Sequence, residues 1–369
     1  MSKKVLIVDD SALVRKQLSE LIKGSGLDFE IETAKNGQEG VDKACATDYD
    51  VITMDINMPV MDGLTAVGEI MKKNPSAILM VSSLTSDNAT STMEALDLGA
   101  IDYVTKPGTM NIGKHENSED IIEKLQALSR ISKRRIKANR ARRPIRRNEP
   151  ENEISERPNR TERVSKSNEI VKPTTSSKDI KKIIFVGAST GGPGLIEQIC
   201  SSLPADFPHA VCIVQHMPAQ FTEAFAGRLN KSSKLNVHHT KHGMEICPGN
   251  IYLARGGSHM EFTKKVSGTI VVSENDNDKG RFFKPSVDET FLSGLKVFGG
   301  AKITSVLLTG IGDDGAEGMV AIREAGGFTM GESEDSCTVY GMPRVAFENG
   351  GVMEQLSFTQ IVKKIVTIR

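Results

Sequence analysis

The residues best suited to chemistry are Gly187-Ala188-Ser189-Thr190-Gly191, between an apolar run at 183–186 and a helix-like run at 195–203. A strand, a tight Gly-x-Ser-x-Gly turn and a helix form a nucleophile elbow, which lifts one hydroxyl clear of a sheet edge. Small residues suit such a turn because larger side chains collide with the flanking backbone. The helix start behind Ser189 also offers backbone N–H groups to a developing oxyanion. A serine nucleophile needs a base within reach and a group that orients the base. Of the seven histidines, His216 follows the β-type run 210–215 and precedes Met217-Pro218, which puts it at a strand end like Ser189. If the two strands are neighbours, their ends lie about 5 Å apart, within imidazole reach. His209 precedes that strand and falls at its far edge. His238, His239 and His242 occupy a polar stretch, and His115 an Asn/Gly-rich loop. His259 is the competitor and could line the pocket.

The orienting group should be an acid at another strand end. The β run 303–309 leads into Gly310-Ile311-Gly312-Asp313-Asp314-Gly315, a turn that opens a helix near 316–325. Either acid could cap that helix while the other faces the imidazole, and the residues alone do not choose between them. The order Ser, His, Asp differs from that of α/β-hydrolases, where the acid precedes the histidine. Nucleotide binding is the rival for a glycine-rich turn. A P-loop needs Lys and Ser or Thr after its last glycine, yet Pro193 and Gly194 follow Gly192. The Gly-x-Gly-x-x-Gly fingerprint fails because Ser189 holds the second glycine position. The next strand also ends in His216, where a ribose-binding acid would stand.

A second constellation lies near the start of the chain. Apolar runs at 5–8, 51–54, 78–81 and 101–104 lead respectively into Asp9-Asp10, Asp55, Ser82-Ser83 and Thr105-Lys106-Pro107. Helical patterns at about 11–23, 37–47, 63–72 and 87–98 separate them, and such alternation implies a parallel, doubly wound sheet. Ligands bind at the carboxyl ends of those strands, where three carboxylates, a hydroxyl and an ammonium would converge. Adjacent carboxylates are costly unless neutralised. Mg²⁺, which takes one or two carboxylates and keeps several waters, does this. A free carboxylate beside Mg²⁺, Lys106 and a hydroxyl suits phosphoryl transfer to that carboxylate.

These elements must be carried by about two domains in a chain of 369 residues. Acids and bases balance overall, but 130–147 holds ten Lys or Arg and no acid. From about 139 to 178, Pro, Ser, Asn, Glu and Arg dominate, and such a stretch cannot bury enough apolar surface to order itself. The fold class expected is therefore α/β: two doubly wound domains with mainly parallel sheets joined by a flexible linker. Their expected bounds are 1–122, a basic and polar linker at 123–178 whose start is helical, and 179–369. The five cysteines are scattered without zinc or redox spacing, as expected of mostly buried free thiols in a reducing compartment. Lys3 and Lys4 lead straight into a strand with no signal pattern, and no apolar run nears the ~18 residues of a membrane span. A cytoplasmic protein that is not membrane-embedded is expected.

Leu6-Ile-Val-Asp9-Asp10-Ser, Met54-Asp55-Ile-Asn57-Met-Pro59 and Thr105-Lys106-Pro107 resemble the signature of response-regulator receiver domains. The resemblance implies Asp55 as phosphoacceptor, with Asp9, Asp10, Asp55 and the Asn57 backbone carbonyl as Mg²⁺ ligands. It implies Ser82 (or its neighbour Ser83) as switch hydroxyl, Tyr103 as switch aromatic, Lys106 as phosphate contact and a cis peptide before Pro107. In the second half, Gly187–Gly192, Val214-Gln215-His216-Met-Pro218, Lys284-Pro-Ser-Val-Asp288, Thr309–Gly315 and Tyr340-Gly-Met342-Pro343 occur in the order seen in chemotaxis protein-glutamate methylesterases. That resemblance covers nearly the whole chain and implies a Ser189, His216, Asp314 triad, with Asp313 at a variable position. Thr190, Gly191, Ile311 and Met342 would form the oxyanion and substrate region, with no cofactor in the esterase half. Ile311 stands where the family usually has Met, Arg255 replaces a usual Pro, and the linker is longer and more basic than in enteric members.

The resemblance further implies hydrolysis of glutamate methyl esters on cytoplasmic helices of chemoreceptors, with deamidation of glutamines in some members. A histidine kinase of the chemotaxis pathway would supply phosphate, and the protein would act as a monomer. Two other readings stand beside it. One is a phosphorylation-controlled DNA-binding regulator using 130–147, although basic runs are usually solvated and no helix-turn-helix pattern occurs in 180–369. No specific nucleic acid is therefore expected as a partner. The other is an inactive receptor-binding adaptor.

Overall fold

The computed structural model describes residues 2–83, 85–107, 116–142 and 176–368. The first unit alternates β1 (Lys3–Val8), α1 (Ala12–Gly24), β2 (Phe29–Ala34), α2 (Gly37–Ala46), β3 (Val51–Asp55), α3 (Gly63–Lys73), β4 (Ile78–Ser82), α4 (Ser86–Leu98), β5 (Asp102–Thr105) and α5 (Glu116–Leu128), followed by α6 (Lys133–Arg142). Its sheet is parallel, in the order β2-β1-β3-β4-β5. Every residue of β3 and β4 is buried, because helices cover both faces, and such strands read as continuous apolar runs. The edge strand β2 is only partly buried and carries Glu30 and Glu32, so it lacks the apolar run that marks the others in sequence. Chain order reverses between β1 and β3, and Asp9 and Asp55 end those two strands at the crevice this creates.

The second unit comprises β6 (Ile183–Ala188), α7 (Gly192–Ser202), β7 (Ala210–Gln215), α8 (Ala219–Ser232), β8 (Asn236–His239), β9 (Asn250–Leu253), β10 (His259–Lys264), β11 (Ile270–Asn275), α9 (Val287–Phe298), β12 (Ile303–Leu307), α10 (Ala316–Glu324), β13 (Phe328–Glu332), α11 (Met342–Glu348), β14 (Glu354–Leu356) and α12 (Phe358–Thr367). Seven strands form a parallel sheet ordered β14-β13-β12-β6-β7-β9-β8, and β10 and β11 form a separate antiparallel hairpin. Strand β6 lies between β12 and β7. The residues that follow these three strands therefore share one sheet edge. The fold class is the expected one: two parallel α/β domains.

The units touch. Tyr103 of β5 stacks on Phe221 of α8, ring centroids 4.4 Å apart and 11° from parallel. Arg228 of α8 donates to the Met93 carbonyl of α4 at 2.9 Å and pairs with Asp97 and Glu197. These contacts join α4 and β5 of the first unit to α8 of the second, while the Glu197 pair ties α8 to α7 within the second unit. The flexible tether expected between them falls mainly on 143–175, and His115 also lies outside the described residues. All five cysteines are free; Cys200, Cys212 and Cys337 are buried, whereas Cys45 is exposed. Among the described residues, no helix is long and apolar enough to cross a membrane.

Candidate active site

At the edge shared by β12, β6 and β7, the sequence-selected side chains meet. The His216 ring has Nδ1 3.1 Å from Ser189 Oγ and Nε2 2.7 Å from Asp314 Oδ2. An ionised carboxylate only accepts, so Nε2 carries the proton toward Asp314 and Nδ1 is left to accept from Ser189. The nitrogens serve in the opposite sense to the trypsin-type triad, but the roles follow from geometry. Of the two adjacent acids, Asp314 turns inward and Asp313 is exposed. His209 is buried at the other end of β7. His259 is fully buried and accepts the Ser286 N–H at 3.2 Å; it lies beneath the site, because that contact turns its ring toward the α9 start.

The elbow is built by close packing. A Cβ at Gly187 would meet Val287 at 2.4 Å, and one at Gly192 would meet Gln215 Oε1 at 2.3 Å. The small residues are thus required by neighbouring side chains from other elements. Gln215 donates to the Ser189 carbonyl at 2.9 Å. The Ser189 N–H itself donates to the Thr309 carbonyl at 3.0 Å, and Thr309 Oγ1 donates to the Thr190 carbonyl at 2.9 Å. Met342 packs against Gly310 beside Ser189, where a Cβ would meet its sulfur at 2.1 Å. Ile311 is half-buried in the adjoining turn.

Several participants hold positions to which the sequence assigned no role. Asp314 accepts the Ser286 hydroxyl at 2.8 Å and the backbone N–H groups of Val287 at 2.7 Å and Asp288 at 3.0 Å. Burial opposes its charge, but His216 and these N–H groups outweigh it and hold the carboxyl well below the usual range. Phe283 stacks on the His216 ring at 4.0 Å. The first unit also contributes, since Thr190 Oγ1 donates to Asp102 Oδ2 at 2.6 Å and Lys124 pairs with the same carboxylate at 3.4 Å. Asp102 follows no apolar run that would single it out, and only the domain contact brings it here. Ser189 is 5% exposed and the His216 side chain 4%. The adjoining cleft of about 750 Å³ is lined by Phe283 and Asp314 but by neither Ser189 nor His216. The Ser189 hydroxyl is closed off from that cleft.

In the first unit, Asp9, Asp10 and Asp55 bring carboxylate oxygens within 4.8 Å of one another. Lys106 Nζ lies 2.8 Å from Asp55 and 3.0 Å from Asp9. Burial raises the Asp55 carboxyl against the pull of Lys106, and the Asp9 charge adds to the rise. Three carboxylates facing one ammonium leave an excess of negative charge, and this all-oxygen set fits a hard divalent cation. Asn57 is exposed in the turn after β3, and its side chain donates to Asn88 at 2.9 Å. Ser82 is buried at the end of β4 and donates to the Ser83 carbonyl at 3.3 Å. The Lys106 N–H continues the sheet ladder to the Ser82 carbonyl. The peptide before Pro107 is trans, contrary to expectation. The cis X-Pro bond among the described residues is Lys284–Pro285.

An acidic strand-end pocket of the receiver type, joined to an α/β domain with a hydroxyl–imidazole–carboxylate line, defines a response regulator coupled to a hydrolase-type site. Residues 5–125 match the response regulator receiver domain and residues 184–365 match CheB methylesterase. A protein-glutamate methylesterase/protein-glutamine glutaminase 2 of Carboxydothermus hydrogenoformans is 43% identical, covering 100% of this chain and 99% of its own. Another, from Archaeoglobus fulgidus, is 37% identical over 98% of this chain and 97% of its own. The Thermotoga maritima CheB methylesterase catalytic domain covers 50% of this chain and 97% of its own, with 34% identity and a TM-score of 0.48. The chain belongs to the receiver-linked CheB methylesterase family.

Proposed function

We propose that the protein hydrolyses γ-methyl esters of glutamate on cytoplasmic chemoreceptor helices, releasing methanol, and that phosphorylation of Asp55 switches this activity on. The line from Ser189 through His216 to Asp314 carries the reading. Ser189 Oγ attacks the ester carbonyl while His216 Nδ1 takes its proton. His216 then protonates the departing methanol, and water hydrolyses the acyl-enzyme by the same route. Asp314 holds the tautomer and offsets the imidazolium charge. Because Thr309 takes the Ser189 N–H, the Thr190 and Gly191 N–H groups are assigned to the oxyanion, with Ile311 and Met342 beside the substrate. A glutamine amide passes through the same acyl-enzyme, so deamidation belongs to the same site.

In the receiver, Asp9, Asp10, Asp55 and the Asn57 carbonyl would hold Mg²⁺, which when bound offsets charge on phosphoryl oxygens. Asp55 takes the phosphoryl group from a histidine kinase or a small phosphodonor. Lys106, now paired with Asp55, meets the phosphoryl oxygens, and Ser82 responds from the neighbouring strand end. Tyr103 would transmit the change, since its ring is the stacking contact to Phe221. The receiver inhibits by covering: Asp102 occupies the Thr190 hydroxyl next to the nucleophile. Free thiols are in keeping with a cytoplasmic, reducing setting.

Two expected outcomes test the regulation. A small phosphodonor with Mg²⁺ labels the parent, and Asp55→Asn abolishes the label; undiminished labelling at another aspartate sinks the assignment. Removing residues 1–178 raises basal methanol release toward the phosphorylated level, as expected of a modest, polar domain interface poised to open. Equal rates for the isolated esterase domain and the unphosphorylated full chain would instead make the receiver a device that presents the enzyme to its receptor.

A further inference from the structure

The starts of α9 and α10 face each other, and each supplies the carboxylate that caps the other. Asp314, two residues ahead of α10, accepts the N–H groups of Val287 and Asp288 in the first turn of α9. Asp288 in turn accepts the N–H of Gly318 at 2.8 Å and that of Gly315. Neither carboxylate can rotate without stripping acceptors from the opposite helix start. The turn between them is clamped, because Gly315 has φ +94° and a Cβ there would meet Leu307 at 2.7 Å and Val287 at 2.8 Å. Ser286 closes the arrangement. Its oxygen accepts the Glu289 N–H at 3.3 Å, so its proton goes to Asp314.

We propose that Asp288 is a positioning residue of the esterase: by capping the helix that follows Asp314, it sets the angle at which that carboxylate meets His216. The proposal rests on the reading that Ser189, His216 and Asp314 act together. Asp288 is 3% exposed and faces Asp314 across the cross-cap. Its nearest cation is Arg281, at 3.4 Å, which also pairs with Glu289 and Glu317. His216 and His259 lie one contact further away, behind Asp314 and Ser286 respectively. Burial first, and the Asp314 charge second, push the Asp288 carboxyl up to about 7. An acid raised on folding binds its proton more tightly in the folded state. Its contribution to stability is present at low pH and is lost as pH rises from the unfolded value through about 7. Ionised Asp288 therefore costs stability, which a neutral amide of the same shape would not.

That opposition gives the test, made on the full chain. Asp288→Asn keeps the shape and one acceptor but sets an NH₂ against a backbone donor, and it is expected to lower kcat about tenfold, with KM changed less than about twofold. Its melting temperature at about pH 8 should match or exceed the parent's, and that advantage should vanish at about pH 5, where parental Asp288 holds its proton. Labelling of Ser189 by a fluorophosphonate probe should slow in parallel with kcat. An unchanged kcat overturns the proposal. So does a fall in kcat that follows a lower melting temperature at both pH values, since that marks a structural residue only. Ser189→Ala is the accompanying control: if it still releases methanol, the triad reading fails and takes the proposal with it; if it does not, the Asp288→Asn result judges the proposal alone.

Discussion

Ser189→Ala is expected to lower methanol release from methylated receptor by roughly 10⁴-fold or more, with and without a phosphodonor. The change removes one oxygen, the atom 3.1 Å from His216 Nδ1. It leaves the Ser189 N–H on the Thr309 carbonyl, the Gly192 N–H on the Ser189 carbonyl and the Gln215 contact. The elbow keeps its shape, so receptor binding and phosphorylation at Asp55 should persist. Residual rate would come from the oxyanion donors and from binding alone. Release by the variant within tenfold of the parent would exclude the acyl-enzyme route. A parent that binds receptor but releases no methanol would favour the adaptor reading.

The second large effect concerns the paired acids. Asp314→Asn should reduce kcat by about 10⁴-fold, because an amide NH₂ facing His216 disfavours the Nε2–H tautomer and removes the charge that offsets the imidazolium. The same NH₂, at the Oδ2 position, also opposes the Val287 N–H, while Oδ1 keeps the N–H of Asp288, so circular dichroism should confirm that the fold stands. Asp313→Asn should leave kcat within about threefold, as usual for an exposed side chain away from partners. The reverse ranking would mean that the imidazole is oriented by the neighbouring residue.

Both results would act on residues whose legibility differs. Ser189, His216 and Asp55 follow continuous apolar runs, and strands buried on both faces write themselves into sequence as such runs. A parallel sheet then puts everything that follows a strand on one edge, so these side chains could be grouped by local pattern alone. The same pattern could not say that β6 lies between β12 and β7, nor which of Asp313 and Asp314 turns inward. Strand order comes from packing, and the direction of a side chain beyond a strand comes from the donors awaiting it, here the start of α9. The half-exposed strand β2 escaped the pattern because solvent on one side permits glutamates there.

What the sequence by itself determined is the pair of α/β domains, the acid cluster around Asp55 and the glycine-rich elbow at Ser189. Each depends on neighbours in the chain, through periodicity, turn chemistry or adjacency. What only the tertiary structure decided is the cradle of Ser286, Val287 and Asp288 around Asp314, the Phe283 ring on His216, and Asp102 of the receiver on Thr190 of the esterase. Asp102 and Thr190 are 88 positions apart. Such contacts follow from how sheets and helices stack after the strands have ordered, and no local signal in the chain encodes that stacking.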